Sequence, residues 1–373
     1  MTRTRDEDAC PGALQVHPAA DGPLARVRLP GGMISATQLE ALAETADRFA
    51  AGTLELTARG NLQLRGVTDT AAVAQAMVAA GLLPSATHER VRNIIASPLS
   101  GRFGGRTDVR PWVTELDRDL RADPGLAGLP GRFLFSVDDG SADVSGLAAD
   151  AGAHVLDDGV ALLLAGRDTG VRVDRNDAVQ ALLTLARRFA KVRGSAWRVA
   201  ELDDPDILLG DFAPSAPPGG RFPPARAPVG WIAQDDASVA LGAVIPLGVL
   251  SARQAQFVAA VGAPVVITPW RSLLVCDLDQ GVADTALRVL APLGLIFDEN
   301  SPWREITACV GSPGCARSLA DVRADAARAA ESGSGRGPVH YAGCERACGS
   351  PLSGAVLVAT PDGYIERDRP AVG

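Results

Sequence analysis

One pattern occurs twice in this chain, and that duplication limits its architecture more than any other feature. Gly32-Met33-Ile34-Ser35-Ala36-Thr37-Gln38 is echoed by Gly248-Val249-Leu250-Ser251-Ala252-Arg253-Gln254. Each reads as a helix start, with a serine placed to cap the first-turn amides and a glutamine three residues on reaching back, as in a capping box. The first helix carries Leu39, Leu42, Ala46 and Phe49 on one face and stops near Gly52; the second is shorter and stops near Gly262. Two alternating segments follow each helix: Thr53 to Thr57 with Asn61 to Leu64, and Pro264 to Thr268 with Ser272 to Cys276. Their period of two predicts paired strands. A second helix closes each copy, from roughly Thr70 to Ala80 and from Val282 to Ala291, giving a β-α-β-β-α order twice. The copies run on into Arg92-Asn93-Ile94-Ile95-Ala96-Ser97 and Arg304-Glu305-Ile306-Thr307-Ala308-Cys309, so the duplication extends past the small modules. Residues 203–228 concentrate Asp, Gly and Pro between the halves and read as a linker.

A chain of 373 residues that is 47% apolar has material for two or three packed cores. Its N-terminus lacks an apolar signal core, and the greasiest stretch, Val239 to Leu250, is broken by Gly242 and Pro246. Neither export nor membrane spanning is expected, and the cytoplasm is the expected compartment. The net charge of −8 argues against a broad nucleic-acid footprint. Lys191 is the only lysine, so an anion site in this chain has to be built from guanidinium groups.

Four of the six cysteines lie within forty residues, as Cys309-x5-Cys315, a spacer of 28, and Cys344-x3-Cys348. Four thiolates among Gly- and Pro-rich loops suit a 4Fe-4S cube, which takes one thiolate per iron. Zinc is the rival reading, although structural zinc sites favour pairs two to four residues apart. Cys276 lies in an apolar strand and reads as core, while Cys10, in Ala9-Cys10-Pro11-Gly12, has no assigned role. His17, His88, His154 and His340 form no spaced metal-ligand pair.

In the hairpin from Thr57 to Gly66, leucines occupy one face, and Asn61, Gln63 and Arg65 occupy the other; Arg59 stands at the turn. Arg92, Asn93 and Arg132 add planar donors, and arginine suits bidentate grip of carboxylates.

With these motifs in hand, the chain resembles the siroheme-dependent sulfite and nitrite reductase superfamily from about Pro23 to Ile365. The matching residues are the T-x-R-x-N-x-Q-L-x-G hairpin at Thr57 to Gly66, the Arg92-Asn93-Ile94 strand start, and the four spaced cysteines. The resemblance implies an α+β fold in two pseudo-symmetric halves, each a ferredoxin-like β-α-β-β-α module followed by a larger mixed α/β nitrite/sulfite-reductase-type domain. The expected divisions are 23–85 and 86–202 in the first half, the linker 203–228, then 229–298 and a cluster-binding 299–373. It further implies that Cys309, Cys315, Cys344 and Cys348 hold a 4Fe-4S cluster. Arg59, Asn61, Gln63, Arg65, Arg92, Asn93 and Arg132 become the candidate substrate-binding set; no catalytic residue is singled out.

The departures point to a particular branch. Sulfite reductases carry two lysines after a Leu-Pro pair, whereas Leu129-Pro130-Gly131-Arg132-Phe133-Leu134 places Arg132 and Leu134 there. The continuation to Asp138-Asp139-Gly140, the short length and the Cys10-Pro11-Gly12 opening resemble the precorrin-3B synthase branch of aerobic cobalamin synthesis. That resemblance implies a monooxygenase using O2 and an electron donor, either ferredoxin or an NAD(P)H-linked reductase, to hydroxylate precorrin-3A with lactone formation. A mononuclear non-haem iron is also attributed to this branch. The alternative is a siroheme-dependent ferredoxin sulfite or nitrite reductase, the only reading that calls for siroheme. A cluster-bearing electron carrier without chemistry of its own is a third class.

Overall fold

Both capping boxes form. Gln38 N donates to Ser35 Oγ at 3.1 Å and Ser35 N to Gln38 Oε1 at 3.1 Å; the Ser251/Gln254 pair repeats this at 3.2 and 2.8 Å. Each glutamine amide then donates to a carbonyl just past the second helix of its copy, Ala80 O at 3.1 Å and Leu293 O at 2.7 Å. One residue thus starts a helix and fastens it to its neighbour, in the same way in both halves.

The computed structural model describes residues 10–333 and 337–367. The first half runs β1 (Ala25–Val27), β2 (Met33–Ile34), α1 (Ala36–Phe49), β3 (Thr53–Leu56), β4 (Leu62–Leu64) and α2 (Thr70–Ala79). A larger module follows: β5 (Ile94–Ala96), α3 (Arg110–Ala122), β6 (Phe135–Asp138), β7 (Ala151–Leu156), β8 (Gly159–Leu164), β9 (Arg167–Val173) and α4 (Ala178–Val192). The second half runs β10 (Gly230–Ala233), β11 (Val239–Val244), β12 (Val249–Ser251), α5 (Ala252–Ala260), β13 (Val265–Ile267), β14 (Ser272–Leu278) and α6 (Gln280–Leu290). It ends with β15 (Ile306–Ala308), α7 (Val322–Glu331), β16 (Val339–Ala342), β17 (Ala355–Thr360) and β18 (Gly363–Glu366).

The two small modules exchange strands. One sheet has the order β1-β4-β3-β12 and the other β10-β11-β14-β13-β2, so each borrows the short strand that precedes the other copy's first helix. Val249, Leu250 and Ser251 pair with Glu55, Leu54 and Thr53, and Met33 and Ile34 pair with Val266 and Val265. Gly32 sits at this exchange with φ +70°, where an added Cβ would lie 2.0 Å from the Ile267 carbonyl oxygen. Only glycine allows that approach. The buried faces of α1 and α5, with Leu39, Leu42, Ala255 and Val258, join both sheets into one core.

The larger modules also echo each other. β5-β6-β7 and β15-β16-β17 are parallel in register, and each sheet then turns antiparallel. The linker region lies along β9: Ser215 and Ala216 donate to Gly170 O at 3.0 Å, and Gly219 to Asp168 O at 3.1 Å. The spacer between the cysteine pairs reads as a helix from about Ala316 to Glu331, but α7 begins only at Val322. Asp321 accepts from Ala324 N at 3.1 Å and sets that start. Ahead of it, Leu319 N bonds Gly343 O at 2.9 Å, holding the preceding residues as a loop against the second cysteine pair. No helix among the described residues is long and apolar enough to cross a membrane.

Candidate active site

The polar face of the first sheet forms a ladder across its strands. Register places Arg26, Gln63 and Glu55 side by side on β1, β4 and β3. Arg26 Nη2 donates to Gln63 Oε1 at 2.9 Å, and Gln63 Nε2 donates to Glu55 Oε2 at 2.7 Å. The far oxygen of Glu55 accepts from Arg323 Nη2 at 2.6 Å, a residue in the first turn of α7. This wall therefore reaches from the first strand of the chain into the cysteine-bearing module.

Two further arginines fix the cysteine loops to the same wall. Arg65 grips Asp21 with two bonds of 2.8 Å and donates to Gly314 O at 3.1 Å, beside Cys315. Arg271 donates to Gly349 O at 2.7 Å, beside Cys348. Within the module, Gly343 N donates to Cys309 Sγ at 3.3 Å, and buried His340 is 3.1 Å from Cys348 O through Nε2. Burial, then the charges of Cys309 and Cys344, raise the Cys348 thiol, with Arg346 opposing and Cys315 adding to the effect, so Cys348 lies within electrostatic reach of the other three cysteines. Among the described residues no three His, Cys, Asp or Glu side chains converge as ligands of a single ion. Thiols on two loops tied together by the Gly343 N–Cys309 Sγ bond could hold a 4Fe-4S cluster, which takes one thiolate per iron. Cys276 is buried in β14, and burial pushes its thiol up to about 11.

Around Arg59 the wall is strongly cationic. Arg59 Nη1 donates to Gly131 O at 3.3 Å, and burial, then the charges of Arg198 and Arg26, lower its guanidinium to about 10. Cys10 lies within electrostatic reach of both Arg28 and Arg59. Nearby carboxylates are already engaged. Glu89 takes the amides of Ala13, Leu14 and Gln15 at 2.6, 3.0 and 3.1 Å, and Asp150 takes those of Leu134 and Val199 at 2.9 and 2.6 Å together with Arg198 at 2.7 Å. Among the described residues, the guanidinium groups of Arg26, Arg28, Arg59 and Arg198 outnumber these two carboxylates.

The seven polar residues singled out in the sequence occupy different places. Arg59 and Gln63 stand on the wall. Asn61 is buried, accepting from Leu29 N at 2.8 Å and donating to Asn93 Oδ1 at 3.3 Å; Asn93 donates to Gly131 O at 2.9 Å. These two amides pin the 129–134 loop to the hairpin. Arg65 holds Asp21 and the Cys315 loop, as above. Arg92 is buried on Asp117, at 2.5 and 3.1 Å, and exposed Arg132 stacks over Trp197 at 4.9 Å. Leu134 lies in an apolar cluster with Ile95, Val144 and Ala149, backed by Trp270. Sequence reasoning passed over Arg26, Arg28, Glu55, Arg198, Arg271 and Arg323. Arg26 and Arg28 carried a legible signal, two cations alternating with apolar residues in Ala25-Arg26-Val27-Arg28-Leu29; the others sit in segments with no polar pattern of their own.

Comparison with known proteins places this arrangement. Residues 17–80 match the model of the Nitrite/Sulfite reductase ferredoxin-like half domain. A precorrin-3B synthase from Sinorhizobium sp is 30% identical over 383 aligned residues, covering 95% of this chain and 81% of the relative. The chain belongs to the precorrin-3B synthase family. A ferredoxin–nitrite reductase from Synechococcus elongatus is 32% identical, but over only 31% of this chain and 25% of its own length. The Mycobacterium tuberculosis NirA protein shares the fold with a TM-score of 0.74 at 19% identity, over 92% of this chain and 73% of that one. The family is thus an oxidoreductase branch of the nitrite/sulfite reductase superfamily, and this protein is an enzyme of that class.

Proposed function

We propose that this enzyme hydroxylates precorrin-3A, with closure of a lactone, using O2 and electrons delivered from a donor through a 4Fe-4S cluster on Cys309, Cys315, Cys344 and Cys348. The observation that carries this reading is the cluster of guanidinium groups of Arg26, Arg59 and Arg198 on a wall fastened to both cysteine loops. A reduced, methylated tetrapyrrole with eight carboxylates is the kind of anion such a wall accepts, since its carboxylates exchange water for charge-assisted hydrogen bonds. Bound there, the cluster supplies single electrons. One oxygen atom enters the macrocycle and the other leaves as water. The chain's own part is to orient the macrocycle with guanidinium groups and to exclude water with the apolar layer around Leu134, which protects reactive species.

A siroheme-dependent sulfite or nitrite reductase needs a concentrated cationic, proton-donating wall for a small anion. Position 134 is an apolar core residue here, and Arg132 lies exposed over Trp197. Neither observation favours that reading.

Replacing Arg59 or Arg26 with Ala is expected to weaken binding of precorrin-3A by roughly ten-fold or more, the loss of one hydrogen bond to a charged group. Equilibrium titration of the anaerobic protein checks this, with iron and sulfide content measured alongside. Unaltered affinity in both variants, with the cluster intact, sinks the carboxylate-binding role.

A further inference from the structure

Arg28 is 2% exposed, and none of its three guanidinium nitrogens has a hydrogen-bond partner among the described residues. A buried cation without a counter-ion is strongly unfavourable. The three nitrogens have almost no accessible surface, so an anion in solution does not reach them and the counter-ion has to come from the chain. Burial, then the charge of Arg26, lower the Arg28 guanidinium; the first group that supports its charge is Cys10, ahead of Glu89. Cys10 also supports Arg59, ahead of Asp150. Both carboxylates are engaged elsewhere, Glu89 by the amides of Ala13, Leu14 and Gln15, and Asp150 by those of Leu134 and Val199 together with Arg198.

The backbone places the Cys10 thiol for this role. The chain folds back antiparallel along β1, His17 pairing with Leu24 and Gly12 O accepting from Arg26 N at 3.0 Å. Two residues before Gly12, the same course carries Cys10 toward Arg28. Cys10 is reduced and half-buried, so small reagents reach it where they do not reach Arg28. Reactive thiols sit in such partly open, electropositive surroundings, because a neighbouring cation stabilises the thiolate, which is the nucleophilic form.

We propose that Cys10 is the thiolate counter-ion of Arg28 and, being partly exposed, a site of covalent modification by small soft electrophiles, hydrogen peroxide among them. With peroxide, the sulfur attacks one oxygen, the S–O bond forms and the O–O bond breaks. The sulfur is oxidised by two electrons to a sulfenic acid, and the peroxide is reduced, its second oxygen leaving as hydroxide. The inference stands on the placement of Cys10 beside Arg28 and is independent of the reaction proposed above.

The test uses the full chain as purified anaerobically and follows each cysteine separately, by peptide mass spectrometry after timed alkylation with iodoacetamide. An ordinary thiol reacts about a hundred-fold faster at about pH 9.5 than at about pH 6.5, following its ionised fraction. Cys10 is expected to change by less than about five-fold over that range. In Arg28→Met its rate should fall roughly ten-fold or more at about pH 6.5, yet match wild type at about pH 9.5, where an accessible thiol is ionised without help. Arg28→Lys, which keeps the charge, should restore most of the loss. Hydrogen peroxide followed by dimedone, a sulfenic-acid trap, should label Cys10 in wild type and in Arg28→Lys but not in Arg28→Met. The wild-type profile needs no variant, so the test survives if Arg28→Met fails to fold. The proposal is overturned if wild-type Cys10 follows the hundred-fold profile of an ordinary thiol, or if its dimedone adduct is absent. It is also overturned if Arg28→Met leaves the rate unchanged, or slows it equally at both pH values, which would mark a change of access rather than of charge.

Discussion

Alanine at any one of Cys309, Cys315, Cys344 or Cys348 is expected to abolish or convert the cluster signal seen by electron paramagnetic resonance after reduction. In the proposed cluster each thiolate would serve one iron of a cube, so losing one would leave an open corner that the neighbouring Gly and Pro residues cannot fill. The structure sharpens the expectation for Cys309, whose sulfur already accepts the Gly343 amide at 3.3 Å and so ties the first cysteine loop to the second. Cys276→Ala is the control, since that thiol is packed in the core and lies in another module. An unchanged cluster type and occupancy in all four variants contradicts the assignment.

Loss of Glu55 is expected to destabilise the protein by roughly 3 kcal/mol, at the lower end for breaking a buried pair because Arg323 keeps 27% side-chain exposure. Glu55 itself is 5% exposed and holds Gln63 as well as Arg323, so Glu55→Ala leaves two donors facing each other across the ladder. The consequence reaches further than stability, because Arg323 belongs to α7, between the two cysteine loops. Glu55→Ala should therefore lower iron and sulfide retention during purification, although no cysteine is altered. A double-mutant cycle with Arg323→Ala separates the pair from its surroundings; strictly additive losses in denaturant unfolding would show that the two residues act independently.

Much of this organisation is legible in the sequence because it is local. Ser35 with Gln38, and Ser251 with Gln254, announce helix starts within four residues, and the strand pairs follow from alternation within a few residues more. The two cysteine pairs are local in the same way, and the bond from Gly343 N to Cys309 Sγ is what joins their loops across the 28-residue spacer. What escapes is set by partners distant in sequence. The exchange of β2 and β12 involves strands of two and three residues, too short for any period to show. Glu55 reads as one polar position in a strand, and its pairing with Arg323 spans 268 residues. Arg92 and Arg132 have the right chemistry for carboxylates, but Asp117 and Trp197 engage them, and no local pattern marks either partner. Leu134 stands out by its departure from a lysine, yet its place in the Ile95, Val144 and Ala149 cluster makes Leu134→Lys a burial of charge rather than a clean change of chemistry.

The most direct measurement is single-enzyme turnover: anaerobically reconstituted protein mixed with precorrin-3A, a reductant and O2, with products resolved by mass spectrometry and 18O2 tracing the oxygen. The account predicts a hydroxylated lactone carrying one labelled oxygen atom, formed over multiple turnovers, with negligible reduction of sulfite or nitrite by the same preparation. Stoichiometric siroheme in the purified protein, steady turnover of sulfite or nitrite, and unreacted precorrin-3A under oxygen would contradict it.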